Sequence, residues 1–186
     1  MRKNLGAKPI MYPQPVLIIA SYNEDGSANA MNAAWGCICD MNQISIYIDA
    51  NHKTMKNILK QRDFTVSMAD ATHVVEADYL GVVSGNKVNN KIEKAGLHTI
   101  ASEFVNAPII EEFPLALECR MNKYDNETEC LTGDIVNVSV DERILNDKGT
   151  IDPMKLQAIT YDGENKAYLV IGEKVGNAFK DGLTLK

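Results

Sequence analysis

Between Asn29 and Thr54, small residues, amides, a lone tryptophan and a basic–hydroxyl pair follow one another in an order that chemistry can use. Asn29-Ala30-Met31-Asn32-Ala33-Ala34-Trp35-Gly36 comes first. Small side chains let a backbone approach the face of a flat ring, and the amides and main-chain groups can read the ring's polar edge. Ile44-Ser45-Ile46-Tyr47-Ile48 then alternates with the period of a half-exposed strand. His52-Lys53-Thr54 opens a helical run. An ammonium, a hydroxyl and the unpaired amides of a helix start together suit a phosphate. The ligand that fits this order of parts is a flat polar ring with a phosphate tail, a flavin nucleotide.

Each part also has a plainer reading. Lys53 is equally a solvated lysine, Thr54 an ordinary N-cap, and His52 the end of a strand. The alanines pack well in a core, and Trp35 serves as readily at an interface as against a ring. Ser84, Lys87 and Lys91 lie in or just after a polar loop, where solvation is the default.

Cys37 and Cys39 form Cys-x-Cys, not the two-residue gap of zinc sites, and Cys119 and Cys130 complete no metal quartet. His52, His73 and His98 are scattered. No metal site is expected, and most of the thiols read as buried and reduced, with a redox role for Cys37 left open. No Ser–His–Asp set or carboxylate pair can be inferred. Hydride transfer to a flavin needs no protein nucleophile, so the expectation is binding residues and no catalytic ones.

The elements that must position these residues read as follows. Val16–Ser21 is a buried strand, Asp25-Gly26 a hairpin turn, and Ser27–Trp35 the returning strand. Gly36–Asn42 reads as irregular and Ile44–Ile48 as a strand. Thr54 caps a helix over Met55–Gln61, with Met55, Ile58 and Leu59 on one face. Phe64–Met68 is a strand, Val74–Leu80 a helix, Ser84–Asn90 a loop and Lys91–Gly96 a short run. Leu115–Met121 and Leu131–Val140 form a long hairpin around the polar turn Asn122–Glu129. Asp152–Leu156 is one helical turn with Pro153 at its first position, and Tyr168–Ile171 is a last strand. Antiparallel strands with few helices between them favour a mainly β barrel with peripheral helices over a doubly wound sheet. No Gly-x-Gly-x-x-Gly follows a strand.

The chain has 186 residues, 45% hydrophobic and 24% charged, with a net charge of −6. One domain over residues 1–186 is the simplest expectation. The acidic balance argues against a general nucleic-acid binder. No apolar run approaches the roughly 20 residues of a membrane span, and the N-terminus lacks the features of a signal peptide, so a cytoplasmic location is expected.

The ordered set resembles the flavin reductase-like domain family of FMN-binding split barrels, above all its flavoredoxin branch. The likeness rests on Tyr12-Pro13-Gln14-Pro15-Val16, Asp25-Gly26-Ser27-Ala28-Asn29, the run to Trp35, His52-Lys53-Thr54, Asn57-Ile58 and Phe64-Thr65-Val66. It continues through Ser84-Gly85, Asn90-Lys91-Ile92 (where the branch has Asp-Lys-Phe), Leu117-Glu118-Cys119, Tyr168–Gly172 and Gly176–Phe179. The resemblance implies a split β-barrel of the FMN-binding type that works as a homodimer. It implies FMN as cofactor, bound by Asn29, Ala30, Met31, Asn32, Ala33, Ala34, Trp35, His52, Lys53, Thr54, Ser84 and Lys91. It also implies flavin redox chemistry, with NADH, NADPH or a redox protein as electron source.

Overall fold

The computed structural model describes residues 1–185. Its first strand, β1 (Leu17–Tyr22), is covered on both sides. Leu17 and Ile19 enter one core cluster, Ile18 and Ala20 the other. That double burial is why its sequence is a continuous apolar run rather than an alternation. Gly26, at φ +81, turns the chain, and the Asp25 carboxylate accepts from Ser27 N at 3.0 Å. The chain returns as β2 (Ala28–Ala33), antiparallel to β1 with Met31 opposite Ile19.

β2 ends at Ala33, two residues before the expected limit at Trp35. Ala34 and Trp35 lead into β3 (Gly36–Asp40), which pairs with β4 (Gln43–Tyr47). The expectation of irregular chain over Gly36–Asn42 is therefore corrected. β3 carries no apolar alternation because Cys37 to Asp40 are all exposed; it is held by pairing with β4 alone.

The helix α1 (Lys53–Gln61) starts two residues earlier than expected. Its N-cap is His52, extended at φ −63 and ψ 139, with no side-chain cap bond. Thr54 is the second helical residue, not the cap: its Oγ1 is turned to β2, where Asn29 Nδ2 donates to it at 2.7 Å. β5 (Asp63–Met68), α2 (Val74–Val82) and the short α3 (Lys91–Lys94) follow near their expected places. The small ribbon of β6 (Thr99–Ala101) and β7 (Pro108–Ile110) was not expected. β8 (Leu115–Asp125) and β9 (Cys130–Val140) form the long hairpin, with β8 running four residues into the segment read as turn. After α4 (Pro153–Leu156), the unanticipated β10 (Ile159–Asp162) pairs with β11 (Ala167–Val170).

The seven strands of the main sheet lie in the order β2-β1-β5-β8-β9-β4-β3. Its two edge strands, β2 and β3, are joined through Ala34 and Trp35 alone, so the sheet must curl until its edges meet. Gly36 sits at that corner: a Cβ there would come within 2.8 Å of Leu17 Cδ1. Inside the curl, Phe64 lies against Gly133 of β9, with no room for a side chain at 133. Met55 and Ile58 of α1 plug the same core. Ala77, Leu80 and Ile92 of α2 and α3 cover the outer face of β1 and β2. Full burial of a side chain such as Phe64 or Ile58 contributes about 1.5–3 kcal/mol. Among the described residues, no helix is long and apolar enough to cross a membrane.

Candidate functional site

β2 is an edge strand, so peptide groups along one side of it have no strand partner. Two features meet that free edge, one near Asn29 and one near Asn32–Ala34.

The first is built around the start of α1. Lys56 N donates to His52 O at 3.0 Å, which leaves the amides of Lys53, Thr54 and Met55 without helical acceptors. No acidic residue stands in that first turn and no side chain caps it, so the positive end of the helix dipole is open. Among the described residues, Lys53 is in no ion pair. The carboxyl of Asp25 is held below the usual range mainly by Ser27, with a smaller pull from the Lys53 charge. The loop after α2 closes over this point. A Cβ on Gly85 would collide with Asn29 Oδ1 and come within 3.2 Å of Lys53 Cβ. Asn86 Nδ2 donates to Asn51 O at 2.9 Å, and Lys56 Nζ reaches Asn86 Oδ1 at 3.5 Å. Asn29, Lys53, Thr54, Ser84 and Gly85 are thus gathered into one cationic corner fit for an anion.

The second feature is a cavity of about 340 Å³ lined by Asn32, Ala33 and Ala34 on one side and by Asp78, Gly81, Val82, Tyr161, Lys166 and Tyr168 on the other. Asn32 Nδ2 donates to Ala77 O at 3.0 Å. Tyr161 and Tyr168 stand 5.9 Å apart, tilted by 50°. Tyr168 Oη donates to Asp78 Oδ1 at 2.7 Å; burial first, then this bond, pushes the phenol up to about 12. A strand rises about 3.3 Å per residue, so Asn29 and Ala33 lie about 13 Å apart along the edge. The corner and the cavity are therefore separated by the length of an extended ligand with an anion at one end and a flat polar ring at the other.

The remaining expected residues are placed differently. Ala30 is buried in the outer core and half-buried Met31 packs on the inner one. His52 is exposed at the N-cap. Trp35 is 59% exposed and lines a neighbouring cavity of about 220 Å³ with Met11 and Tyr12, sharing Tyr161 with the first. Lys91 lies away from solvent, only 2% exposed, and its Nζ donates to Ala30 O at 2.9 Å and Leu80 O at 2.8 Å. Its ammonium is engaged beneath β2, and burial lowers it to about 8. The expectation of mostly buried thiols is corrected: Cys37 and Cys39 are exposed on β3, while Cys119 is buried and its thiol pushed up to about 12 by that burial.

Gly85, Asp78 and Tyr161 went unassigned in the sequence. Only Gly85 left a trace, as the glycine of Ser84-Gly85; the cavity residues come together from separate elements.

Residues 10–163 match the family model described as the flavin reductase like domain. The flavoredoxin of Desulfovibrio vulgaris (Miyazaki F) is 33% identical, with 98% of this chain and 100% of that chain covered and a TM-score of 0.93. The flavoredoxin from Methanosarcina acetivorans is 27% identical over 100% of this chain and 98% of that one, with a TM-score of 0.86. An FMN-binding protein from Thermus thermophilus shares the fold at 21% identity and a TM-score of 0.76, over 95% of this chain and 99% of that one. The match over most of the length, on the split-barrel architecture these structures share, means that the chain belongs to the flavin reductase-like domain family.

Proposed function

We propose that this chain is an FMN-binding oxidoreductase of the flavin reductase type, a cytoplasmic homodimer that takes electrons from NADH or NADPH. The observation that carries the reading is the pairing of an open cationic corner with an aromatic, amide-edged cavity along one free strand edge. The residues fit the cofactor: glycine at 85 leaves space where any Cβ would strike Asn29, and Lys53 is in no ion pair among the described residues.

The Lys53 ammonium and the amides of Lys53, Thr54 and Met55 would hold the phosphate, and Asn29 keeps Thr54 Oγ1 turned to that corner. Asn32 and the backbone of Ala33 and Ala34 would meet the polar edge of the ring. When bound, the flavin supplies hydride and single-electron chemistry. The chain's own part is to bind, to orient and to keep water from one face of the cavity with Tyr161 and Tyr168. None of these steps asks for a protein nucleophile.

Stopped-flow mixing of the flavin-loaded protein with NADH and NADPH tests the proposal. Rapid bleaching of the flavin bands with one of them is expected; no bleaching with either would overturn the reductase reading. The full-length likeness to two flavoredoxins favours a second reading, an electron carrier working between proteins. The net charge of −6 suits a basic partner. Slow bleaching by nicotinamides with fast reduction by a ferredoxin-like protein would select it.

A further inference from the structure

A second chamber adjoins the ring cavity, and Tyr161 stands in the wall of both. Its volume is about 220 Å³. An apolar cavity of about 150 Å³ holds one benzene ring. The chamber therefore suits a single substituted ring better than the three fused rings of a flavin.

Its walls come from three separate parts of the chain. One is Trp35, the only tryptophan of the sequence, held at its backbone by Tyr47 N donating to Trp35 O at 2.8 Å. The β10–β11 hairpin supplies Tyr161 and Glu164. The segment ahead of β1 brings Met11, Tyr12 and Gln14. This segment lies across the hairpin as a strap. Lys8 Nζ donates to Glu164 Oε2 at 3.0 Å, Tyr12 Oη donates to Asp162 Oδ1 at 2.5 Å, and Tyr161 N donates to Gln14 O at 2.8 Å.

Gln14 gives the chamber its polar character. Its backbone is engaged on both sides: Gln14 N donates to Thr160 Oγ1 at 2.8 Å, and Gln14 O accepts from Thr160 Oγ1 at 2.9 Å as well as from Tyr161. Its side-chain amide makes no hydrogen bond among the described residues, although the residue is only 8% exposed. Among those residues, no side-chain nitrogen or oxygen is sealed away from all open space without a partner. The Gln14 amide therefore opens onto space, and the space that Gln14 borders is the chamber. A nearly buried amide with donor and acceptor both unused is matched by a group that offers both. Glu164 carries the one charge in the lining among the described residues, so an anionic ring is disfavoured there.

We propose that this chamber is a binding site for a small, uncharged aromatic molecule bearing a carboxamide-like group. The ring lies among Tyr12, Trp35 and Tyr161. The Gln14 amide donates to the oxygen of the substituent and accepts from its nitrogen. The chamber is separate from the seat assigned to the flavin, so the inference does not depend on the reading of the chain as a flavoprotein.

Benzamide, benzoate and toluene have nearly the same shape, and titrating each into the full chain tests the proposal. Trp35 emission reads occupancy, because no other tryptophan contributes. Benzamide should bind with a dissociation constant on the order of 0.1–1 mM, the range open to a single-ring ligand. Benzoate and toluene should bind about tenfold more weakly. Gln14→Leu keeps the side-chain bulk and the backbone bonds; it should weaken benzamide by about tenfold and bring toluene level with it. Calorimetry on the chain saturated with FMN should return the same benzamide affinity. No benzamide binding, equal affinity for the three ligands, or a Gln14→Leu variant that binds benzamide like wild type overturns the proposal. Displacement of benzamide by FMN overturns it equally, since the chamber would then be the flavin's own seat. A chain that takes benzamide in this order of preference but no FMN would sink the flavin reading and uphold this one.

Discussion

Lys53 and Thr54 stand side by side at the start of α1, but they do different work. Thr54 is buried and bonded to Asn29, whereas the Lys53 ammonium is free of protein partners among the described residues. Replacing Lys53 should therefore alter ligand binding, and replacing Thr54 should alter stability as well. A charge-assisted hydrogen bond contributes about 1.5–3 kcal/mol, a ten- to hundredfold change in affinity. Lys53→Ala should weaken FMN by about tenfold and leave riboflavin, which has no phosphate, nearly unchanged. Fluorescence titration of both flavins checks it; equal loss for both would move the phosphate elsewhere. Gly85→Ala forces the Asn29 amide from its place, so it should weaken both flavins while lowering the urea midpoint only modestly. Lys53 and Thr54 were legible as candidates because helix-start chemistry is local. Lys91 was expected beside them among the cofactor-binding residues, but its partners were not legible: in sequence it trails a polar loop, and only the packing of α2 and α3 over β2 shows that its ammonium is spent on Ala30 O and Leu80 O.

At the scale of the element, α1 begins without a cap. His52 occupies the N-cap, where Ser or Asp would stabilise a helix by about 1 kcal/mol. An Asp there would also place a negative charge at the corner assigned to the phosphate. His52→Asp should thus raise the melting temperature by several degrees yet weaken FMN by about tenfold. His52→Ser, a cap without charge, should raise stability and spare the affinity. Parallel melting curves and FMN titrations check the pair, and an Asp variant that binds FMN as tightly as wild type would count against the corner. Elements with a buried face were readable: β1 by its apolar run, β4 by its alternation, and the turn at Gly26 by Asp-Gly. β3 was not, because an exposed edge strand is specified by its neighbour β4 and not by its own side chains. The outer end of β8 was missed for a related reason: Asn122 to Asp125 are polar, yet the ladder with β9 continues past the core.

At the scale of the whole molecule, what joins the parts is the curl of the sheet and the layer of helices over β2, and neither is local in sequence. Lys91 lies in that layer, tying β2 to the end of α2, so its protonation bears on global stability. Burial lowers it from 10.5 to about 8, while the unfolded chain keeps its proton to the ordinary value. Below pH 8 both states are protonated, and the folded state bears the full cost of a desolvated ammonium. Between about 8 and 10.5 the folded chain releases its proton first, the unfolded chain binds more protons, and stability rises with pH by up to about 1.4 kcal/mol per unit. Above 10.5 the gain is complete. Lys91→Met keeps the aliphatic stem and removes the titration, at the cost of two carbonyls left without donors, about 1–3 kcal/mol each. The variant should be less stable than wild type at pH 7, and the gap should widen by about 1–2 kcal/mol between pH 7.5 and 9.5 as wild type gains and the variant does not. Urea unfolding across that range checks it, since taking the difference cancels the other titrating groups common to both proteins. Stability curves that run parallel from pH 7.5 to 9.5 would show that the Lys91 ammonium is not desolvated in the folded chain.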